Sequence, residues 1–225
     1  MTPFHLTILS QAQKELWPLL SRVPRRFVLY GGIAIALRLA HRESVDFGFF
    51  TGSDFTTDQL VREMDFLTGG RRVQECTNTL TLLMTNPAFD RPVKLSFFGG
   101  LKLGRIHKPD QANNGLFIAS IKDLLGMKCA VVSQRAEAKD YMDIHAIITK
   151  THLGLAHGIG AARAIYGRQY NAVLTLKALC FFQDGNVATL PDKIKQDLLL
   201  KVKTCDLENI PEMTPEGIIG EYIPK

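Results

Sequence analysis

Apolar positions along the first half of the chain change period several times. Leu9, Ala12, Leu16, Leu19 and Leu20 recur at helical spacing, so residues 8–21 are expected to form an amphipathic helix with Thr7 as its cap and Pro24 ending it. Residues 26–30 then read as a buried strand, Gly31 and Gly32 as a turn, and residues 33–42 return to a helical pattern. Residues 45–50 form a second short strand. Alternate strand residues share a face, so Ser44, Asp46 and Gly48 should line one side while Val45, Phe47 and Phe49 enter the core. Thr56 and Thr57 precede a short helix at 59–67, which Gly69 and Gly70 are expected to end as a glycine C-cap. Residues 72–85 and 92–98 carry the β-branched and aromatic bias of paired strands, joined across a turn at Asn86 and Pro87.

After Ser120 the period is helical throughout. Helices are expected over 121–134 and 138–149, and three more over 152–204, arranged around residues 186–191. The chain therefore reads as an α+β protein, with an α/β lobe over residues 1–105 and a helical lobe over 106–225. No internal repeat, low-complexity tract or glycine–serine linker separates the two.

Composition adds modest constraints. With 225 residues, 46% hydrophobic and 22% charged, the chain falls among ordinary globular proteins, and a formal charge of +5 mildly favours phosphate-bearing partners. Cys76, Cys129, Cys180 and Cys205 form no Cys-x-x-Cys pair and mostly neighbour apolar residues, so they read as buried thiols in a reducing compartment. The first residues lack the basic start and apolar middle of a signal peptide, and Arg38 interrupts the apolar run from Phe27 too early for a membrane span. The expected address is the cytoplasm, with no membrane partner.

Two places could carry chemistry. A strand running through Gly31 and Gly32 into a helix presents bare backbone amides at a positively polarised helix start, where a phosphate can approach. The structural alternative is a tight turn that needs glycine for its backbone alone. Beside it, two carboxylates at strand positions i and i+2 would hold Mg²⁺ ions that bridge a nucleotide's phosphates. Here Asp46 is present and position 48 is glycine. The histidines fall in no ligand cluster, which argues against a zinc site, and no Gly-x-Ser-x-Gly elbow supports a hydrolase. Arg71 and Arg72, and Lys102 with Arg105 and Lys108, read either as a basic rim for RNA or as solvated loops.

The run from Tyr30 to Thr51 resembles the signature of the AbiEii/AbiGii nucleotidyltransferase toxin family, whose usual form is Gly-Gly-Thr-Ala-Leu-Ala-Leu, a His-Arg, then Ser-x-Asp-x-Asp-Phe-Phe. The likeness continues through Val93-Lys94-Leu95-Ser96-Phe97-Phe98-Gly99-Gly100, Ile118-Ala119-Ser120, Asp123-Leu124, Met127-Lys128, Lys139-Asp140-Tyr141-Met142-Asp143, and Leu176-Lys177-Ala178-Leu179 before Phe181-Phe182. The resemblance implies a polymerase-β-like nucleotidyltransferase core, a small mixed sheet with flanking helices, followed by a helical C-terminal lobe. It further implies a type IV toxin–antitoxin or abortive-infection role, with a nucleoside monophosphate passing from a nucleoside triphosphate, as Mg²⁺ complex, to RNA, tRNA included, or to protein. An antitoxin protein would be a partner.

Carried over by position, Gly31, Gly32 and Ser44 would receive the phosphates and Asp46 the metal. Lys128 would steady triphosphate charge, and Asp140 would serve as base or metal support. Each has a structural alternative: Lys128 as a snorkelling lysine, Asp140 and Asp143 as capping residues or as partners of Lys139 or Arg135. Gly48 departs from the family pattern at the second aspartate, Ile33 at the hydroxyl after the glycines, and Ser96 stands where related enzymes often carry a third carboxylate. A two-metal site is not built this way. One carboxylate plus substrate phosphates suffices for a single Mg²⁺, with Asp54 or Glu43 as acids that could assist if they reach. The alternative is a catalytically inactive protein that binds nucleotide, RNA or antitoxin.

Overall fold

The computed structural model describes residues 4–221. The chain divides into two compact units: one holds the residues up to Leu103, Lys108–Ala119 and those from Gly217 on, the other Gly104–His107 and Ser120–Glu216. Among the described residues no helix is long and apolar enough to cross a membrane.

The first unit is built on a mixed sheet. β1 (Val28–Tyr30) runs antiparallel to β2 (Asp46–Phe50), and β2 runs parallel to β5 (Val93–Phe98). β3 (Arg71–Cys76) and β4 (Thr79–Met84) extend the sheet on the β5 side, and the two-residue strands Phe117–Ile118 and Asp110–Gln111 complete it beyond β1, giving seven strands. Phe47 and Phe49 are fully buried as the alternation requires, and Phe49 stacks on Phe97 at 4.9 Å while Phe27 meets Phe97 edge-on at 5.4 Å. Val45 departs from that expectation: it precedes the strand and is 52% exposed. On the opposite face Tyr30 stacks on Phe50 at 5.2 Å, and Phe50 meets Phe98 edge-on.

Several boundaries differ from those the sequence suggests. The first helix is a single short α1 (Gln11–Leu16), capped by Ser10 and not Thr7: the Ser10 hydroxyl accepts from Gln13 N–H while the Gln13 side chain accepts from Ser10 N–H at 2.9 Å. Thr7 lies in a separate 3₁₀ turn, and Pro18, which has no N–H to continue the ladder, leads into another at Leu19–Arg22. The run 72–85 is two strands: Asn78, at φ 59°, turns the chain so that β3 and β4 form a hairpin. α3 (Thr57–Glu63) carries the expected threonine cap at Thr56, but Gly70 has φ −82°, so the glycine pair is not a left-handed cap.

The second unit is helical. α4 (Ile121–Val131) and α5 (Ala138–Lys150) are followed by α6 (Leu155–Tyr166), α7 (Ala172–Cys180) and α8 (Asp192–Lys203), so the expected three helices of the last segment are all present. α4 and α6 cross closely, because Gly126 has no Cβ: one placed there would lie 2.8 Å from that of Ala161. Ser120 caps α4, accepting from Asp123 N–H, and the Asp123 carboxylate takes the backbone N–H groups of Ile106 and His107 at 2.7 and 3.1 Å. Burial pushes the Asp123 carboxyl above its ordinary range, against the pull of those hydrogen bonds. The cysteines are free, but only Cys129 is buried; Cys76 and Cys180 are exposed. Arg105, read from sequence as part of a basic rim, is 4% exposed and lies inside this unit.

Candidate functional site

In the first unit the elements that carry the motif converge. β1 ends at Tyr30, whose register partner on β2 is Gly48, and α2 (Gly31–Leu39) starts at the next residue. Gly31 holds φ +79°, a conformation that a side chain disfavours, which lets the strand turn directly into the helix. Gly32 lies close under two side chains: a Cβ there would meet the end of the flexible Arg42 side chain and sit 3.1 Å from Ser44 Oγ. α2 closes at Ala40 in the left-handed region, and the chain returns through Arg42 and Ser44 beside the start of the same helix. The open helix start, the Ser44 hydroxyl and the Arg42 cation are thus gathered in one place. Partial positive charge, a hydroxyl donor and a guanidinium suit a phosphate group.

Asp46 opens β2 two residues after Ser44. Its register partner across the parallel pairing is Lys94, and Lys94 Nζ lies 2.7 Å from Asp46 Oδ2, with both side chains a little over a third exposed. Further along, Gly48 faces Ser96, whose hydroxyl accepts from Thr81 Oγ1 at 3.2 Å. The acids that could have assisted are engaged elsewhere: Asp54 accepts from Asn78 Nδ2 at 2.6 Å, and Glu43 lies 3.6 Å from Arg91. Among the described residues no group of three His, Cys, Asp or Glu could hold a metal ion. The donor set therefore does not fit a two-metal site. It does fit one hard cation brought in on a nucleotide, since Asp46 supplies one carboxylate and the remaining ligands would be phosphate oxygens and water.

The second unit holds a separate charged network. Lys128 Nζ on α4 lies 2.5 Å from Asp140 Oδ1 and 2.7 Å from Asp143 Oδ2, both on α5, and both carboxylates are fully buried. The three-residue spacing puts the two acids on one helix face, where a single ammonium can reach both. Arg135 Nε donates to Asp140 Oδ2 at 2.8 Å. Burial acts to raise the Asp140 carboxyl, but the Arg135 hydrogen bond and the Lys128 charge outweigh it and hold the group below the usual carboxylate range. Both oxygens of Asp140 are thus occupied by cations. Lys139, the other partner considered from sequence, instead pairs with Glu137 at 2.6 Å.

Arg42 and Lys94 were not singled out from the sequence. Arg42 belongs to the quoted His-Arg of the motif, but its return over Gly32 depends on where the loop goes. Lys94 sits two residues before Ser96, hence on the same strand face, but only the register with β2 brings it to Asp46.

A family model described as nucleotidyl transferase AbiEii toxin, type IV TA system, matches residues 19–203. The chain belongs to the AbiEii toxin family. A protein of Aquifex aeolicus (strain VF5), aq_aa25, is 30% identical over 169 residues, spanning 74% of this chain and 78% of its own length. Two solved structures from Helicobacter pylori share the fold of this AbiEii-family chain. One, a candidate nucleotidyltransferase, has a TM-score of 0.57 at 15% identity, covering 87% of this chain and 95% of its own. The other, JHP933, has a TM-score of 0.55 at 14% identity, covering 89% and 92%. The α+β nucleotidyltransferase fold and the family membership expected from the motifs are both borne out.

Proposed function

We propose that this AbiEii-family protein transfers a nucleoside monophosphate from a nucleoside triphosphate to an RNA acceptor, tRNA among them, or to a protein, and that an antitoxin protein is its partner. The observation that carries the reading is the gathering of Gly31, Gly32, Ser44 and Asp46 at the start of α2, in a chain whose family is that of nucleotidyl transferase toxins. A single Mg²⁺ bound through Asp46 would supply charge neutralisation at the reacting phosphate. The amides at the start of α2 bind phosphate oxygens, and the Ser44 hydroxyl donates to one of them. The phosphate site proposed here is that of Gly31, Gly32, Ser44 and Asp46, all within the first unit. Asp140, with both oxygens taken by Lys128 and Arg135, holds the Lys128 ammonium in place inside the second unit. The missing carboxylates at positions 48 and 96 make the transfer slow.

Incubation with α-³²P-labelled nucleoside triphosphates, Mg²⁺ and total RNA or total protein tests this. Label is expected to enter one acceptor class, Mg²⁺-dependently, and to fall by about a hundredfold or more in Asp46→Ala. Label no higher than in that variant overturns it. Gly48, Ser96 and the Lys94 ion pair favour a second reading, a nucleotide- or RNA-binding protein without transfer activity. That reading requires nucleotide binding with no label in any acceptor.

A further inference from the structure

The Asp46 face pairs its carboxylate with a lysine from the neighbouring strand. A three-carboxylate face carries enough negative charge to need two divalent ions before a polyphosphate can approach. Here only Asp46 remains, and Lys94 stands beside it as a cation. Lys94 spans directly from the neighbouring strand to Oδ2 of Asp46 at 2.7 Å, a little over a third exposed and on a flexible four-carbon stem. An ammonium on that oxygen repels a divalent ion approaching the same carboxylate. It is also a donor of the kind that triphosphates recruit.

Resting on the transfer reading above, we propose that Lys94 is a phosphate-binding residue parked on Asp46, and that it replaces the second carboxylate-bound cation this site lacks. In the free protein the ammonium neutralises Asp46 and keeps bare divalent ions off it. When a magnesium nucleotide arrives, Asp46 turns to the ion and Lys94 turns to the phosphates, so that the carboxylate and the lysine exchange partners. The exchange breaks one ion pair and makes two contacts with the nucleotide complex. It selects Mg²⁺ with nucleotide over Mg²⁺ alone.

Lys94→Met separates these roles because it should move two affinities in opposite directions. Mn²⁺ binding to the nucleotide-free protein, read by electron paramagnetic resonance, should tighten by about fivefold when the repelling charge is removed. Binding of a magnesium complex of a non-hydrolysable triphosphate, read by calorimetry, should weaken by about tenfold, the loss of one charge-assisted hydrogen bond. Lys94→Arg keeps the charge and should restore both. If Lys94→Met leaves triphosphate affinity unchanged while wild type binds the complex, or weakens Mn²⁺ and triphosphate binding together, the exchange is wrong and the transfer reading stands. If wild type binds no triphosphate at all, the transfer reading itself fails.

Discussion

Lys128→Met is expected to destabilise the helical unit by about 3–5 kcal/mol, lowering the melting temperature by about 10 °C, because it leaves Asp140 and Asp143 buried with one cation fewer. The ammonium is the bond that the two carboxylates share, at 2.5 and 2.7 Å, and neither acid is exposed to water. Arg135 still holds Asp140, and the buried Asp143 carboxylate loses its 2.7 Å contact with the ammonium. The double variant Lys128→Met/Asp143→Asn removes that charge and should recover most of the lost stability. Transfer activity discriminates structure from function: if Lys128 also steadies the triphosphate, the double variant refolds but stays inactive, whereas a purely structural lysine returns activity with stability. A loss below about 1 kcal/mol in the single variant would contradict the buried pairing.

The same network fixes the sign of the acid response. Asp140 titrates lower in the folded chain than its ordinary 3.8, so its contribution to stability is present above that value and disappears as the pH falls below it toward the folded value. Asp123 is shifted the other way, upward, and works against folding above its ordinary range. Asp140→Asn should therefore flatten the acid limb of the stability profile.

Gly48→Asp is the variant expected to gain function. Position 48 lies on the same β2 face as Asp46, and a Cβ there would meet nothing nearer than the Phe50 ring at 3.7 Å and the Tyr30 carbonyl oxygen at 3.9 Å, both ordinary contacts. The glycine has no positive φ to protect, so the substitution brings no backbone strain. A second carboxylate two residues on would complete the pair that grips divalent ions at phosphates, and label transfer should rise by about a hundredfold. Tighter Mn²⁺ binding with unchanged stability would accompany it. If Gly48→Asp folds, binds Mn²⁺ more tightly and transfers no more label than wild type, the face is not where the phosphate is attacked.

How far the sequence reaches is visible in particular residues. The strand–glycine–helix–strand order from β1 to β2 is legible because the period changes at Gly31 and again near Asp46, and Phe47 and Phe49 alternate as a half-buried strand demands. The five helices after Ser120 are legible for the same reason. The hairpin at Asn78 is not: Thr77-Asn78 lacks the glycine that usually announces such a turn, so one long strand was the natural reading. The return of Phe117–Ile118 to the sheet beside β1 is equally hidden, since two residues carry no period. At the site, Gly31, Ser44 and Asp46 follow from local spacing, and the meeting of Lys128 with Asp140 rests on helix spacing once α4 and α5 pack. Lys94 does not follow from either. Its place opposite Asp46 depends on strand register, which is set by the packing of Phe47, Phe49 and Phe97 and not by the two residues themselves.

The most direct measurement is anomalous scattering from Mn²⁺ in crystals grown with a non-hydrolysable nucleoside triphosphate. A single peak at about 2.1 Å from an Asp46 oxygen is expected, with triphosphate oxygens against the amides of Gly31 and Gly32 and the Ser44 hydroxyl. Nucleotide bound away from Gly31 and Gly32, or a manganese peak with no bond to Asp46, would contradict it.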